Sequence, residues 1–129
     1  MNRWLGEQSE WLYAIMRVVV GILFACHGAQ KLFGVLGKEQ RISDPQALLT
    51  GIIEFGGGLL VALGLWTGVA AFLASGLMAV AYFKAHAPRG FWPIVNRGEL
   101  AVIYSFVFLY IASKGSGLLS IDALLGRKK

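Results

Sequence analysis

"RVVVGILFACHGAQKLFG", Arg17 to Gly34, decides the fold. The stretch is apolar enough to lie in a bilayer, yet it carries Arg17, His27 and Lys31. An ionisable side chain at the centre of a spanning helix costs roughly 2.5 to 3.5 kcal/mol on insertion scales, so such groups face a protein interior and have partners there. At 100° per residue the three fall within about 80° of one another. The opposite arc, with Val18, Ile22 and Leu32, can face lipid. The segment therefore predicts a spanning helix with one polar stripe, and a bundle for that stripe to face.

The rest of the chain agrees. Of its 129 residues, 57% are hydrophobic and 15% charged, against roughly 25% charged in an ordinary soluble domain. A chain of this size cannot hide so many Leu, Val, Ile, Phe and Ala side chains beneath its own surface, so lipid must cover them. Apolar windows of about 20 residues, the length that crosses a hydrocarbon core, fall at Leu12–Leu36, Ala47–Leu65, Gly68–Ala85 and Arg97–Ser113. They predict an all-α integral membrane four-helix bundle, up-down-up-down, forming one domain over residues 1–129.

Between the first two spans, "GKEQRISDPQ" (37–46) is a loop with a helix start at Ser43 or Asp44. Between the last two, "KAHAPRGFWPIVN" (84–96) holds two prolines and reads as an ordered loop at the interface. Trp4, Trp11, Tyr13, Trp66 and Tyr110 would mark one membrane face, and Tyr82, Phe91 and Trp92 the other. Small residues recur at Gly57, Gly64 and Gly68 and at Ala71, Ser75 and Ala79, which predicts close packing of the second span on the third. Basic residues number five on each side of the four spans, and the closing Arg127–Lys129 favours both termini in the cytoplasm. "LFAC" (23–26) looks a little like a lipoprotein cleavage site, but Phe24 fits it badly and the segment is read as a retained span. Cys26 is the single cysteine, which excludes a disulfide within the chain and any CxxC pair.

Depth arithmetic gathers the remaining ionisable groups. Lys31 lies one turn inside the loop end of the first span and His27 one turn deeper. Glu54, on the antiparallel second span, lies about 10 Å in from the same side, level with His27. Lys84 and His86 close the third span at that face, and Glu99 sits near it on the fourth. Two readings stand: a buried ion-pair network that fixes helix register, or a polar pocket with titratable walls for a small molecule or quinone headgroup. Two histidines at one depth could ligate a b-type haem, but Glu54 competes for His27, and no metal is expected. Arg17 lies near the opposite face, where no spanning helix offers a carboxylate. It either snorkels to lipid phosphate or captures an anionic or carbonyl group of a ligand.

The first-span stretch and "HAPRGFWPIVNRGELAVIYSFVFLYIASKGSGLLSIDALL" (86–125) together resemble the DoxX family of small bacterial membrane proteins. The resemblance covers nearly the whole chain. It rests on Arg17, Gly21, His27, Gly28 and Lys31, on Glu54, Gly57 and Gly58, on His86, Phe91, Gly98 and Glu99, and on Gly115, Gly117, Ser120 and Asp122. It implies a four-helix protein of the bacterial inner membrane. The family takes its name from a small subunit of a thiosulfate:quinone oxidoreductase, and relatives are linked to thiol, sulfur or quinone stress.

The expected function is that of a redox accessory subunit binding a quinone or similar small molecule in the bundle. Glu54 and His27 are the candidate catalytic, proton-handling pair, with Arg17, Lys31, His86 and Glu99 as ligand-binding residues. No intrinsic cofactor and no self-contained redox centre are visible, so electrons must come from elsewhere. The expected partners are the bilayer, the ligand and a protein partner or a second copy of the chain, with no nucleic acid. The rival reading is a non-enzymatic scaffold that assembles or stabilises a partner complex, with an exposed loop at 86–96 and a closed, fully paired interior.

Overall fold

The computed structural model describes residues 3–126, and the basic tail Arg127–Lys129, on which the orientation reading rests, lies outside them. The described residues contain only helices and loops: α1 (Arg3–Glu7), α2 (Ser9–Phe33), α3 (Pro45–Leu63), α4 (Thr67–Ala81), α5 (Pro93–Asn96), α6 (Glu99–Lys114) and α7 (Ile121–Leu124). The long helices α2, α3, α4 and α6 form the up-down-up-down membrane bundle. Three runs, Ser9–Phe33, Pro45–Leu63 and Thr67–Arg89, are long and apolar enough to cross a membrane. Helix α6 has 16 residues, about 24 Å at the helical rise.

Local chemistry sets the helix ends. Gly34, at φ 65°, takes the left-handed conformation and stops α2 at Phe33, three residues before the apolar pattern ends at Leu36. Asp44 caps α3 by accepting a hydrogen bond from the Gln46 amide at 3.1 Å, with Pro45 in the first turn. Helix α4 continues from Tyr82 to His86 as a single π-helical turn and then as a 3₁₀ turn to Arg89. Such turns shift the side chains beyond them around the helix axis and occur often at functional sites.

The bundle consists of two close pairs, and they are not the pair expected from the sequence. Helices α2 and α3 approach through Gly21, Gly28 and Gly58. A Cβ added to Gly58 would lie 2.5 Å from the Ala25 amide nitrogen and 2.6 Å from the Gly21 carbonyl oxygen, whereas one added to Gly57 would meet nothing within 4 Å. The expected seam of Gly57, Ala71 and Ser75 between the second and third spans is therefore corrected. Ser75 instead faces α6, where its hydroxyl donates to the Ser105 carbonyl at 2.7 Å and Ser105 returns a bond to the Ser75 carbonyl at 3.1 Å. Gly58→Ala should cost about 1 to 3 kcal/mol, because two backbones must separate. Gly57→Ala should be neutral or slightly stabilising through helix propensity. Melting of the two variants in detergent checks the register, and equal destabilisation would refute it.

Fully buried Phe24 of α2 joins the two pairs, packing on Tyr104 and Phe108 of α6 with ring centroids 5.3 and 4.7 Å away. Trp4, Trp11, Trp66 and Tyr110 are exposed, as interfacial aromatics should be. Tyr13 and Tyr82 differ from that expectation: both are buried, and their hydroxyls donate to the Gly115 and Phe91 carbonyls.

Candidate functional site

At the loop end of α2, between the two helix pairs, lies a cavity of about 320 Å³. Its polar walls are His27 and Lys31 from α2, Glu54 from α3, His86 from the π-helical turn, and Arg97 and Tyr104 from the start of α6 and the turn before it. Phe24, Met78 and Ala101 supply apolar surface.

Glu54 is held by Lys31, not by His27. Lys31 Nζ lies 2.7 Å from Glu54 Oε1 and 3.4 Å from Thr50 Oγ1. The side chain of Glu54 is 6% exposed and that of Lys31 26%, so the carboxylate is the buried member of the pair. His27 makes an edge contact with the Tyr104 ring, centroids 6.0 Å apart, and has no hydrogen-bond partner among the described residues. The Tyr104 hydroxyl is also without one. His86 Nδ1 donates to the Asn96 carbonyl at 3.2 Å, an assignment that follows because a carbonyl can only accept. In the neutral ring this leaves Nε2 as an acceptor.

The loop that carries His86 and Arg97 is fixed by one fully buried amide. Asn96 Nδ2 donates to the Gly90 carbonyl at 2.7 Å and to the Tyr82 hydroxyl at 3.0 Å, while its Oδ1 accepts from the Gly98 amide at 2.8 Å. Both amide hydrogens and the oxygen of that side chain are used on the segment between α4 and α6. The loop "HAPRGFWPIVN" thus roofs this end of the bundle and brings His86 to the cavity wall.

The chain matches the DoxX family over residues 12–87, a stretch that contains Arg17, His27, Lys31, Glu54 and His86. It belongs to the DoxX family. An uncharacterised protein of Haemophilus influenzae is 41% identical over 125 residues, covering 92% of this chain and 93% of its own. The inner membrane protein YqjF of Escherichia coli is 31% identical over 121 residues, covering 88% and 92%. The uncharacterised membrane protein Rv3486 of Mycobacterium tuberculosis is 31% identical over 133 residues, covering 88% and 80%. No solved structure matches. This DoxX chain is a bacterial inner-membrane protein, in keeping with its relatives and its apolar spans.

Of the six groups expected to converge, His27, Lys31, Glu54 and His86 line the cavity of this DoxX protein. Lys84 lines a neighbouring cleft, and Glu99 is exposed at the start of α6, away from the cavity walls. Two residues were missed by the sequence reading, Arg97 and Tyr104. For Tyr104 the signal was the run Ala101, Tyr104 and Phe108, spaced three or four apart and so on one face of α6; Arg97 lies in the turn before that helix, at φ 62°, and had no such periodic signal.

Arg17 belongs to a different cluster at the opposite end, and it does not snorkel: its exposure is 0%. Its guanidinium donates to the carbonyls of Ser116 (3.3 Å), Leu118 (3.3 Å) and Leu119 (2.7 Å). The carboxylate that no spanning helix offered comes from the short α7. Asp122 is buried and accepts from the Trp66 amide, the Thr67 amide and the Thr67 hydroxyl at 3.0, 3.0 and 3.1 Å, capping α4. Its own amide donates to the Gly64 carbonyl at 2.8 Å. The segment 115–126 therefore ties α2, α3 and α4 together at the end away from the cavity.

Proposed function

We propose that this DoxX protein binds a small molecule rich in acceptor oxygens, with a quinone headgroup as the leading candidate, and serves as a membrane-embedded accessory to a redox partner. The observation that carries the reading is an open cavity in which His27 and Tyr104 stand without hydrogen-bond partners beside the Lys31–Glu54 pair. An imidazole, a phenol and a guanidinium all border a space that a carbonyl-bearing ring would fill. An apolar groove of about 350 Å³ between α4 and α6 shares Met78 and Ala101 with the cavity wall and would receive a hydrocarbon tail.

Reduction of a quinone to a quinol takes up two electrons and two protons. The electrons would come from the partner. His27 and Glu54 would pass protons to the ring oxygens. The scaffold reading has one element in its favour, the exposed Phe91, Trp92 and Ile94 of the roof loop. It also needs a closed, fully paired interior, and the partnerless His27 and Tyr104 weigh against that.

Titration of the purified protein with a short-chain ubiquinone analogue, followed by tryptophan fluorescence and melting temperature, tests the reading. His27→Phe keeps the edge contact with Tyr104 and removes both ring nitrogens. It should melt like the parent and bind the analogue about tenfold more weakly, a loss of about 1.4 kcal/mol. Absence of saturable binding by the parent, or unchanged affinity in the variant, would refute quinone binding at this site.

A further inference from the structure

The same membrane face carries a second concavity that the ligand cavity does not absorb. It is a cleft of about 310 Å³ between the start of α3 and the end of α4, lined by Lys31, Arg41, Lys84, Asp44, Leu77 and Val80 among others. It exists because α3 and α4 belong to different close pairs and are joined only at their other ends, through the turn at 64–66.

Its charge is one-sided, with three cationic side chains and one carboxylate. Arg41 reaches Asp44 at 3.3 Å, and both side chains are about half exposed, where such a pair is weak and easily exchanged. Lys84 is exposed and has no partner among the described residues. Lys31 contributes its stem here while its ammonium meets Glu54 on the cavity side. The positive end of the 19-residue α3 lies at the same place. Beneath these groups the wall turns apolar, with Leu77 and Val80 of α4.

We infer that this cleft seats the headgroup phosphate of an anionic phospholipid. The phosphodiester would lie between Lys84 and Arg41, and an acyl chain would descend along Leu77 and Val80. A free phosphate ion would match the cations but leave the apolar wall uncovered, and a zwitterionic lipid would match the wall but bring its own cation to a basic site. The inference does not depend on the quinone reading. It uses the cations of the rim, and of the side chains common to both spaces, Lys31, Ala81 and Ala85, only Lys31 is charged.

Native mass spectrometry of the detergent-solubilised protein, with phosphatidylglycerol and phosphatidylcholine of identical acyl chains in competition, is the test. Phosphatidylglycerol should be preferred by about tenfold or more. Each basic group near the phosphate contributes about fivefold, so Lys84→Gln alone should reduce the preference about fivefold and Arg41→Gln with Lys84→Gln should abolish most of it. Lys38→Gln, an exposed loop cation outside the cleft, should leave it unchanged. Lys84 has no carboxylate to strand, so its variant should melt like the parent without added lipid and keeps the test readable. Equal binding of the two lipids would overturn the inference. So would an equal loss on Lys38→Gln, which would make the preference a general surface-charge effect, or complete displacement of the lipid by inorganic phosphate at matched ionic strength.

Discussion

Lys31→Met should destabilise the protein far more than Glu54→Gln, although the two residues form a single ion pair. The asymmetry follows from exposure. Removing Lys31 strands a carboxylate that is 6% exposed, and an uncompensated buried charge costs about 3 to 5 kcal/mol in soluble proteins, somewhat less when the unfolded reference state is also in a membrane. Removing the charge of Glu54 strands an ammonium that is 26% exposed and borders the α3–α4 cleft. It can turn toward water or lipid phosphate, so the loss should be about 1 kcal/mol or less.

The double variant, Lys31→Met with Glu54→Gln, should recover most of the stability lost in Lys31→Met alone, because no charge remains to be compensated. That recovery separates the two roles. A stable double variant that still binds the quinone analogue and supports its reduction by a partner would reduce the pair to a device for helix register. A stable variant inactive in both assays would leave proton handling as the reading. Thermal melting and analogue titration on the same four proteins supply both answers. Equal losses in the two single variants would mean that the pair is not buried as described.

How far the sequence could reach depends on whether a signal was local. The four spans were legible because hydropathy accumulates over about 20 residues, and errors of a few residues at their ends trace to caps. Gly34 stops α2 early, and Gly64 ends α3 at Leu63, two residues before the predicted Leu65. His27, Lys31 and Glu54 could be brought together by depth arithmetic alone, since i, i+4 spacing fixes one helix and antiparallel pairing fixes the other. Which of His27 and Lys31 takes Glu54 depends on side-chain reach, and periodicity does not carry that.

The helix register was misread for a related reason. In "GGG" at 56–58, one residue is 100° of rotation, so choosing Gly57 over Gly58 turned the seam away from its partner. Gly58 packs on Gly21 and Ala25, and nothing near Gly58 in the chain marks it as the contact residue. Tyr104 was hidden differently. An aromatic at helical spacing reads as core, and only the open space beside its hydroxyl distinguishes it. The Arg17 cluster was the least legible feature, because its partners lie about a hundred residues away in a segment that crosses nothing.

That cluster carries the other large effect. Arg17→Lys preserves charge and much of the length, so a snorkelling side chain would tolerate it. Here the fork of the guanidinium reaches three carbonyls spread over Ser116 to Leu119, and a single ammonium cannot hold that arrangement. Hydrogen bonds from charged donors contribute about 1.5 to 3 kcal/mol, and Arg17→Lys should therefore lose about 2 to 3 kcal/mol. Arg17→Leu should lose more, about 3 to 5 kcal/mol, since it also leaves Asp122 buried without its nearby cation. Asp122→Asn keeps one acceptor oxygen for three donors, so it should fall between the parent and Arg17→Leu.

Limited proteolysis separates loss of this tie from general weakening. In the Arg17 variants cleavage should begin within 115–126 before it appears at the loop 34–44, because the tie has been released while the Gly58 seam and the Ser75–Ser105 bonds remain. Cleavage of both regions at equal rates would show that Arg17 supports the whole bundle. A silent Arg17→Lys variant, unchanged in melting and in cleavage, would remove the claim that the C-terminal segment is held by the guanidinium.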